Sequence, residues 1–301
     1  MIHVEIIASS QQDHSIGSRS MIGHINFFPH KKKGVATRKK KEKIATTATM
    51  SASPSSNGDG DGDGNGDDTH NVKMGASAAE RNAPHIAGKI VPRVLRIQSE
   101  CKVEEEEGGE GEEHYAFEIG SGQGVHASVI APQLPEIEFV LSDRNEDHFE
   151  SIKENTKHIE NVLLPPVTFD ARDDVVDALI VDNLNAVIGS CLLVLVVNVC
   201  HISPIETTRG IFETSDKLLA KRGVVYIYGP FNVDGKYTSD GNEKFDKIMK
   251  EKDKRFGIRD ISELEAMGEA KGMKLNEIHE MPANNFLLGW IRKSSSPQML
   301  L

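Results

Sequence analysis

Phe117-Glu118-Ile119-Gly120-Ser121-Gly122-Gln123-Gly124 reads as a strand that ends in an acidic residue and opens into a glycine turn. Glycine has no Cβ and tolerates positive φ, so such a turn lets backbone approach a ligand closely. A second short strand, Glu136 to Ser142, follows, and Asp143 stands at its tip. A carboxylate there is placed to accept hydrogen bonds from ribose hydroxyls. Turn and carboxylate together predict a nucleoside at the carboxyl edge of a parallel sheet.

The details favour one nucleoside. A dinucleotide fingerprint is G-x-G-x-x-G. Here Gly120 and Gly122 fit it, but Val125 takes the third place and Gly124 precedes it. Glu118 would repel a pyrophosphate, yet could hydrogen-bond the ammonium of an amino acid. S-adenosylmethionine combines a ribose, an adenine, a sulfonium and an amino-acid tail with no phosphate. It therefore suits E-x-G-x-G-x-G plus Asp143 better than NAD. A short-chain dehydrogenase is further disfavoured because no Tyr-x-x-x-Lys pair occurs beyond residue 75.

Composition narrows the class. The chain has 301 residues, 27% charged, with a formal net charge of −11. Nucleic-acid binding needs clustered positive charge to neutralise phosphates, which this balance does not offer. Aromatics at 5% leave few platforms for stacking bases. Cys101, Cys191 and Cys200 have no C-x-x-C spacing, so neither a zinc site nor a disulfide framework is implied. The 12 histidines form no H-E-x-x-H pair, and no metal is expected. No apolar run reaches transmembrane length. The expected compartment is the cytoplasm, with neither nucleic acid nor membrane as partner.

Residues 1–75 read as a disordered leader. A basic run, Lys31 to Lys33 and Arg38 to Lys41, leads into Ala/Thr/Ser sequence and a Gly/Asp repeat from Asn57 to Asp68. Such sequence buries too little apolar surface to offset the entropy of ordering. The basic run admits a nuclear address, an organelle transit peptide or a plain solvated leader, with Met50 and Met74 as alternative starts. Order is expected over 76–294, with a flexible tail at 295–301.

Strands and helices alternate through the ordered region. Ile86, Ile90, Val94 and Ile97 recur at helical spacing between Pro84 and Gln98. An acidic surface loop is expected from Glu104 to Glu113. After the glycine turn comes a short helix, Val125 to Ala131, which Pro132 ends. Phe149, Ile152, Ile159 and Leu163 predict a helix over 148–163, broken at Pro165-Pro166. A third strand, Val167 to Phe169, ends at Asp170. Leu192 to Val197 is a continuous apolar run, as in a central parallel strand covered on both faces.

Ser203-Pro204-Ile205-Glu206 has the form of a capping box opening a helix to about Ala220. The fifth strand is Val224 to Tyr228, then a helix from Asp240 to Arg255. A second capping box is expected at Ser262 and Glu265, with Gly272 closing its helix. Met273 to Met281 and Asn285 to Arg292 predict an antiparallel pair. The pattern is a doubly wound α/β fold with a mostly parallel, seven-stranded sheet, Rossmann-like, ending in that antiparallel pair.

From Glu118 onward the chain resembles the S-adenosylmethionine-dependent methyltransferase-like family that contains methyltransferase-like protein twenty-six. The resemblance rests on Glu118 to Gly122, Ser142-Asp143-Arg144-Asn145, His201-Ile202-Ser203-Pro204, the run from Tyr228 to Asp260, and Met281-Pro282-Ala283-Asn284-Asn285. Glu80-Arg81-Asn82 is similar to the family's opening motif. The match spans roughly residues 78–293, with Gln123 where the family usually has threonine. It implies a Rossmann-like methyltransferase fold and S-adenosylmethionine as cofactor, but no particular acceptor. The expected cofactor contacts are Glu118, Gly120, Ser121, Gly122, Gly124, Asp143, Arg144, Asp170 and Asn198.

Methyl transfer from a sulfonium is an in-line displacement with a neutral leaving group. Holding acceptor and methyl in line can supply most of the catalysis. A base is needed only where the acceptor must lose a proton. His201, between the fourth strand and a helix start, is the candidate base; the alternative is a histidine that shapes its loop by bonding backbone. Tyr228 is a candidate for orienting the acceptor, against the role of a strand tyrosine. Glu206 could serve as base, though helix capping accounts for it. Arg81 and Asn82 either fold back over the cofactor or cap a helix, and 232–257 is either a lid or a surface excursion. Expected functions are methyl transfer to a small-molecule acceptor or, alternatively, a catalytically inactive cofactor-binding scaffold.

Overall fold

A computed structural model describes residues 77–106 and 113–293. The expected leader, the tail at 295–301 and residues 107–112 of the acidic stretch lie outside the described residues. The first helix, α1 (Ala78–Glu106), is longer at both ends than the sequence pattern predicts. It continues through Pro84 and Pro92, and it absorbs Glu104 to Glu106 of the expected acidic loop.

Alternation follows as predicted. The order is β1 (His114–Ile119), α2 (Val125–Ile130), β2 (Ile137–Asp143), α3 (Phe149–Thr156), β3 (Val162–Thr168), α4 (Val175–Val181) and β4 (Cys191–Val197). Then come α5 (Ile205–Leu218), β5 (Leu219–Gly229), β6 (Phe231–Asn232), α6 (Asp240–Lys252), β7 (Arg259–Asp260), α7 (Ile261–Ala270), β8 (Met273–Met281) and β9 (Asn285–Arg292). Seven strands form one sheet in the order β3-β2-β1-β4-β5-β9-β8. The first five are parallel, and β9 is antiparallel to both β5 and β8. The short strands β6 and β7 pair with each other outside it. The predicted fold class therefore holds.

Two apolar layers sandwich the sheet. On one face α1 contributes Ile86, Ile90, Val94 and Ile97 beside Ile130 and Ile152. On the other, Leu179, Ile211, Phe212 and Leu264 pack with Trp290. Phe212 and Trp290 meet edge to face at 5.2 Å, a favoured aromatic geometry. Every residue of β1 and β4 is buried, as central parallel strands require. That burial includes Glu118.

The structure corrects several local expectations. The third helix ends at Thr156, and Leu163 and the proline pair belong to β3. A proline is tolerated there because β3 is an edge strand, where one side of the ladder is unpaired. No Ser203–Glu206 capping box forms: α5 is capped by an extended Pro204 without a side-chain bond. Ser203 Oγ donates instead to Val199 O at 2.9 Å. The true capping box sits at Asp260 and Glu263, not at Ser262 and Glu265. Finally, α5 passes directly into β5 at Leu219 with no intervening loop.

Candidate functional site

Strand order reverses between β1 and β4, because β2 and β3 lie on one side of β1 and β4 onward on the other. In open α/β sheets ligands occupy the crevice beyond the strand carboxyl ends at such a point. A cavity of about 570 Å³ lies there, within the usual range for ligand sites.

The glycine turn forms one side of it. Gly120, Gly122 and Gly124 all have positive φ, at 71°, 55° and 75°. L side chains rarely adopt that region, so the sequence places glycine at each. At Gly120 a Cβ would also stand 2.8 Å from Val199 Cγ2. The turn is pinned to β2: Ser121 N donates to Ser142 O at 2.8 Å, and Gly122 N donates to Asp143 Oδ2 at 2.9 Å.

Asp143 is buried, and its other oxygen accepts from Asn145 N at 2.9 Å. His148 Nδ1 approaches Oδ2 at 3.1 Å. The carboxylate thus holds the turn in shape. Each of its oxygens has a further lone pair for a ligand hydroxyl.

Six further expected contacts line the same cavity: Gly120, Ser121, Gly122, Arg144, Asp170 and Asn198. Asn198 adopts a left-handed conformation (φ 58°), and its N–H donates to Tyr228 O at 2.9 Å. Asp170 is held by its neighbour Arg172, whose Nε and terminal nitrogen donate to the two carboxylate oxygens at 2.9 and 2.6 Å. That pair holds the Asp170 carboxyl below its ordinary range. Gly124 stands back from the cavity as the N-cap of α2, packed on Ile152.

Glu118 lies beneath the turn, with 2% of its surface exposed. Neither carboxylate oxygen finds a hydrogen-bond partner. Burial raises its pKa to about 8, against a pull from the Ser121 hydroxyl, with a lesser push from Asp143. A carboxylate left this way is costly unless something positive meets it.

The two catalytic candidates are not brought to this cavity. His201 is 6% exposed, edge-on to Phe245 at 5.3 Å. Its ring Nδ1 lies beside Gly229, and its backbone O accepts from Gly257 N at 3.1 Å. Burial and then Arg259 lower its pKa to about 4. Tyr228 is buried in the α1-side core. Burial raises its pKa, against the amides of Asn82 and Asn285 at its hydroxyl. Glu206 is exposed and pairs with Arg209 at 3.8 Å.

Residues that the sequence pattern does not single out do reach the cavity. His126 on α2 and His148 line it, as do Ser77, Ala78 and Ala79 at the start of α1. A histidine two residues after a glycine turn carries no spacing signal, but the resemblance of Glu80-Arg81-Asn82 does mark the start of α1. Asn82 bonds His126 Nε2 at 2.9 Å. A second hollow of about 750 Å³ adjoins across Asp170 and is lined by Asp173, Asp174, Asp177 and Asp182. Among the described residues no His, Cys, Asp and Glu cluster could hold a metal. No described helix is long and apolar enough to cross a membrane.

Solved structures share this architecture. An O-methyltransferase family protein from Burkholderia thailandensis is 12% identical, with a TM-score of 0.50 over 61% of this chain and 52% of that one. A methyltransferase in calicheamicin biosynthesis, solved with SAH bound, is 15% identical, with a TM-score of 0.47 over 62% and 51%. Mitomycin 7-O-methyltransferase is 13% identical, with a TM-score of 0.48 over 60% and 49%. The chain spans about half the length of these proteins, and at such identities the likeness is one of fold. The family described as "Protein of unknown function (DUF938)" matches residues 74–292, well over half of the sequence, and the chain belongs to that family.

Proposed function

We propose that the chain binds S-adenosylmethionine in the cavity at the β1–β4 switch point and transfers its methyl group to a small-molecule acceptor. The observation that carries this reading is the buried carboxylate of Glu118, with no positive partner in bonding distance, beneath a glycine turn that Asp143 pins. A dinucleotide would bring a pyrophosphate to that carboxylate; an amino-acid ammonium brings the charge it lacks. The fold of the solved O-methyltransferases is consistent with this reading. The motifs similar to the family of methyltransferase-like protein twenty-six also support it.

Bound S-adenosylmethionine supplies a methyl on a sulfonium, already activated for displacement. The residues bind and orient. Asp143 accepts from ribose hydroxyls through its remaining lone pairs, and Arg144, Asp170 and Asn198 border the same space. Glu118 meets the ammonium. Phe169, Val197, Val199 and Ile202 give the cavity its apolar side and exclude water.

A second reading, a cofactor-binding protein that catalyses nothing, is favoured by the burial of His201 and Tyr228 away from the cavity. Titration calorimetry with S-adenosylmethionine, S-adenosylhomocysteine and NADH tests the binding. Heat from the first two is expected; heat from NADH alone would end the proposal. Transfer of a labelled methyl to a metabolite extract separates the enzyme from the scaffold.

A further inference from the structure

We propose that residues 77–83, the opening of α1, form a strap that hinges at Pro84 and is latched by Asn82, so that a ligand enters and leaves the switch-point cavity when the latch opens. That this ligand is the cofactor rests on the reading above; the strap itself rests on the hinge and the latch.

Pro84 stands inside α1. It has no N–H to give the Glu80 carbonyl four residues back, and its ring crowds that oxygen. Helices bend at such points. Packing decides which side moves. After the hinge, Ile86, Ile90, Val94 and Ile97 are at most 2% exposed and fix the helix to the sheet. Before it, only Ala83 of the seven strap residues is buried. Pro92 has the same defect, but Ile90 and Val94 anchor the helix on both sides of it. The strap also closes on itself: Ser77 N donates to Glu80 Oε2 at 2.6 Å, and Glu80 N donates to Ser77 Oγ at 3.2 Å. That reciprocal cap lets it move as a helical unit.

With so little apolar contact, polar bonds hold the strap down. Asn82 Oδ1 accepts from His126 Nε2 on α2 at 2.9 Å, and the Asn82 amide nitrogen donates to the Tyr228 hydroxyl on β5. His126 and Tyr228 are both buried, so the latch engages two fixed points. Ser77, Ala78 and Ala79 border the cavity beside Gly122, Val125 and His126. A segment held by few buried contacts opens before the core does. Closing it shuts water out of the cavity, and opening it times release.

Hydrogen exchange of the ligand-free protein, followed in peptides covering 77–83 and 86–98, reads the strap without any ligand. Asn82→Ala should speed exchange of the first about tenfold, the scale of the bonds removed, and leave the second unchanged. Equal acceleration of both means that α1 opens as a whole and overturns the strap; so does no acceleration in the first. Should Asn82→Ala fail to fold, Pro84→Ala carries this arm. It restores the missing N–H and should slow exchange of 77–83 about fivefold; unchanged exchange overturns the hinge. Stopped-flow binding of S-adenosylhomocysteine reads the gate. Asn82→Ala should raise its dissociation rate about tenfold. Pro84→Ala should slow association and dissociation together, each about fivefold, with nearly the same affinity. A residue that merely stabilises the fold would move the melting temperature and neither rate, and unchanged rates in Pro84→Ala overturn the gate. A wild type that binds no S-adenosylhomocysteine sinks the cofactor reading instead, and the exchange result alone then decides the strap.

Discussion

Glu118→Gln should make the ligand-free protein more stable at alkaline pH and leave it unchanged at acidic pH. The Glu118 carboxyl titrates near 8 in the folded chain against 4.5 for an ordinary glutamate. The folded state thus holds a proton that the unfolded state releases. The stability this contributes is complete below about pH 4.5 and is lost as pH rises through about 8. Each tenfold gain in proton affinity is worth about 1.4 kcal/mol. Relaxation around a newly ionised buried group returns part of that, leaving on the order of 2–4 kcal/mol. Glutamine has no proton to lose and buries an amide in place of a neutral carboxylic acid, a near-even exchange. For a domain of this size that energy corresponds to roughly 5–12 °C in melting temperature. Scanning calorimetry of both proteins at pH 4 and pH 8.5 reads it directly. The melting temperatures should coincide at pH 4 and separate at pH 8.5, with the variant higher. Parallel pH profiles would refute the claim that burial holds the Glu118 carboxyl protonated.

Asp143→Ala should weaken binding of S-adenosylhomocysteine by about 1–2 kcal/mol, read by calorimetry. It should also lower the melting temperature, because Gly122 N and Asn145 N lose their acceptor. Asn161 Nδ2 donates to the carbonyls of Ala131, Leu134 and Ile137 at 2.8–3.0 Å. Asn161→Ala removes all three of these bonds, although Ala131 O and Leu134 O keep the backbone donors Leu134 N and Ile137 N, and urea unfolding should show a loss of about 1–2 kcal/mol. Gly210→Ala would drive a Cβ to 1.7 Å from Ala171 O. The same assay should show a loss of about 3 kcal/mol, and an unchanged midpoint would mean that α5 is free to shift.

The sequence discloses most where local pattern and burial agree. β8 and β9 are legible to the residue, because alternation and the Pro282-Ala283-Asn284 turn mark their ends. The glycine turn and Asp143 are legible because positive φ and a strand tip each demand a particular residue type. β3 is hidden because a proline pair breaks most strands, and only the sheet order reveals that this one lies at an edge. The capping serines mislead for a related reason. Ser203 has a better acceptor in Val199 O, which no spacing discloses. His201 draws attention by its position after β4, whereas His126 on α2 meets Asn82 on α1 only through the packing of those two helices.

One side chain ties the β6–β7 excursion to the cavity. Arg259 donates to the backbone oxygens of Cys200 and Ser203, at 3.2 and 2.7 Å, and to that of Arg255 at 2.8 Å. A flat guanidinium can hold three carbonyls at once, where a lysine ammonium would lack the span. Rivet and plate therefore move as one. Any event that lifts the outer segment drags Ile202 and Ser203 with it and so changes the shape of the chamber that those two residues border.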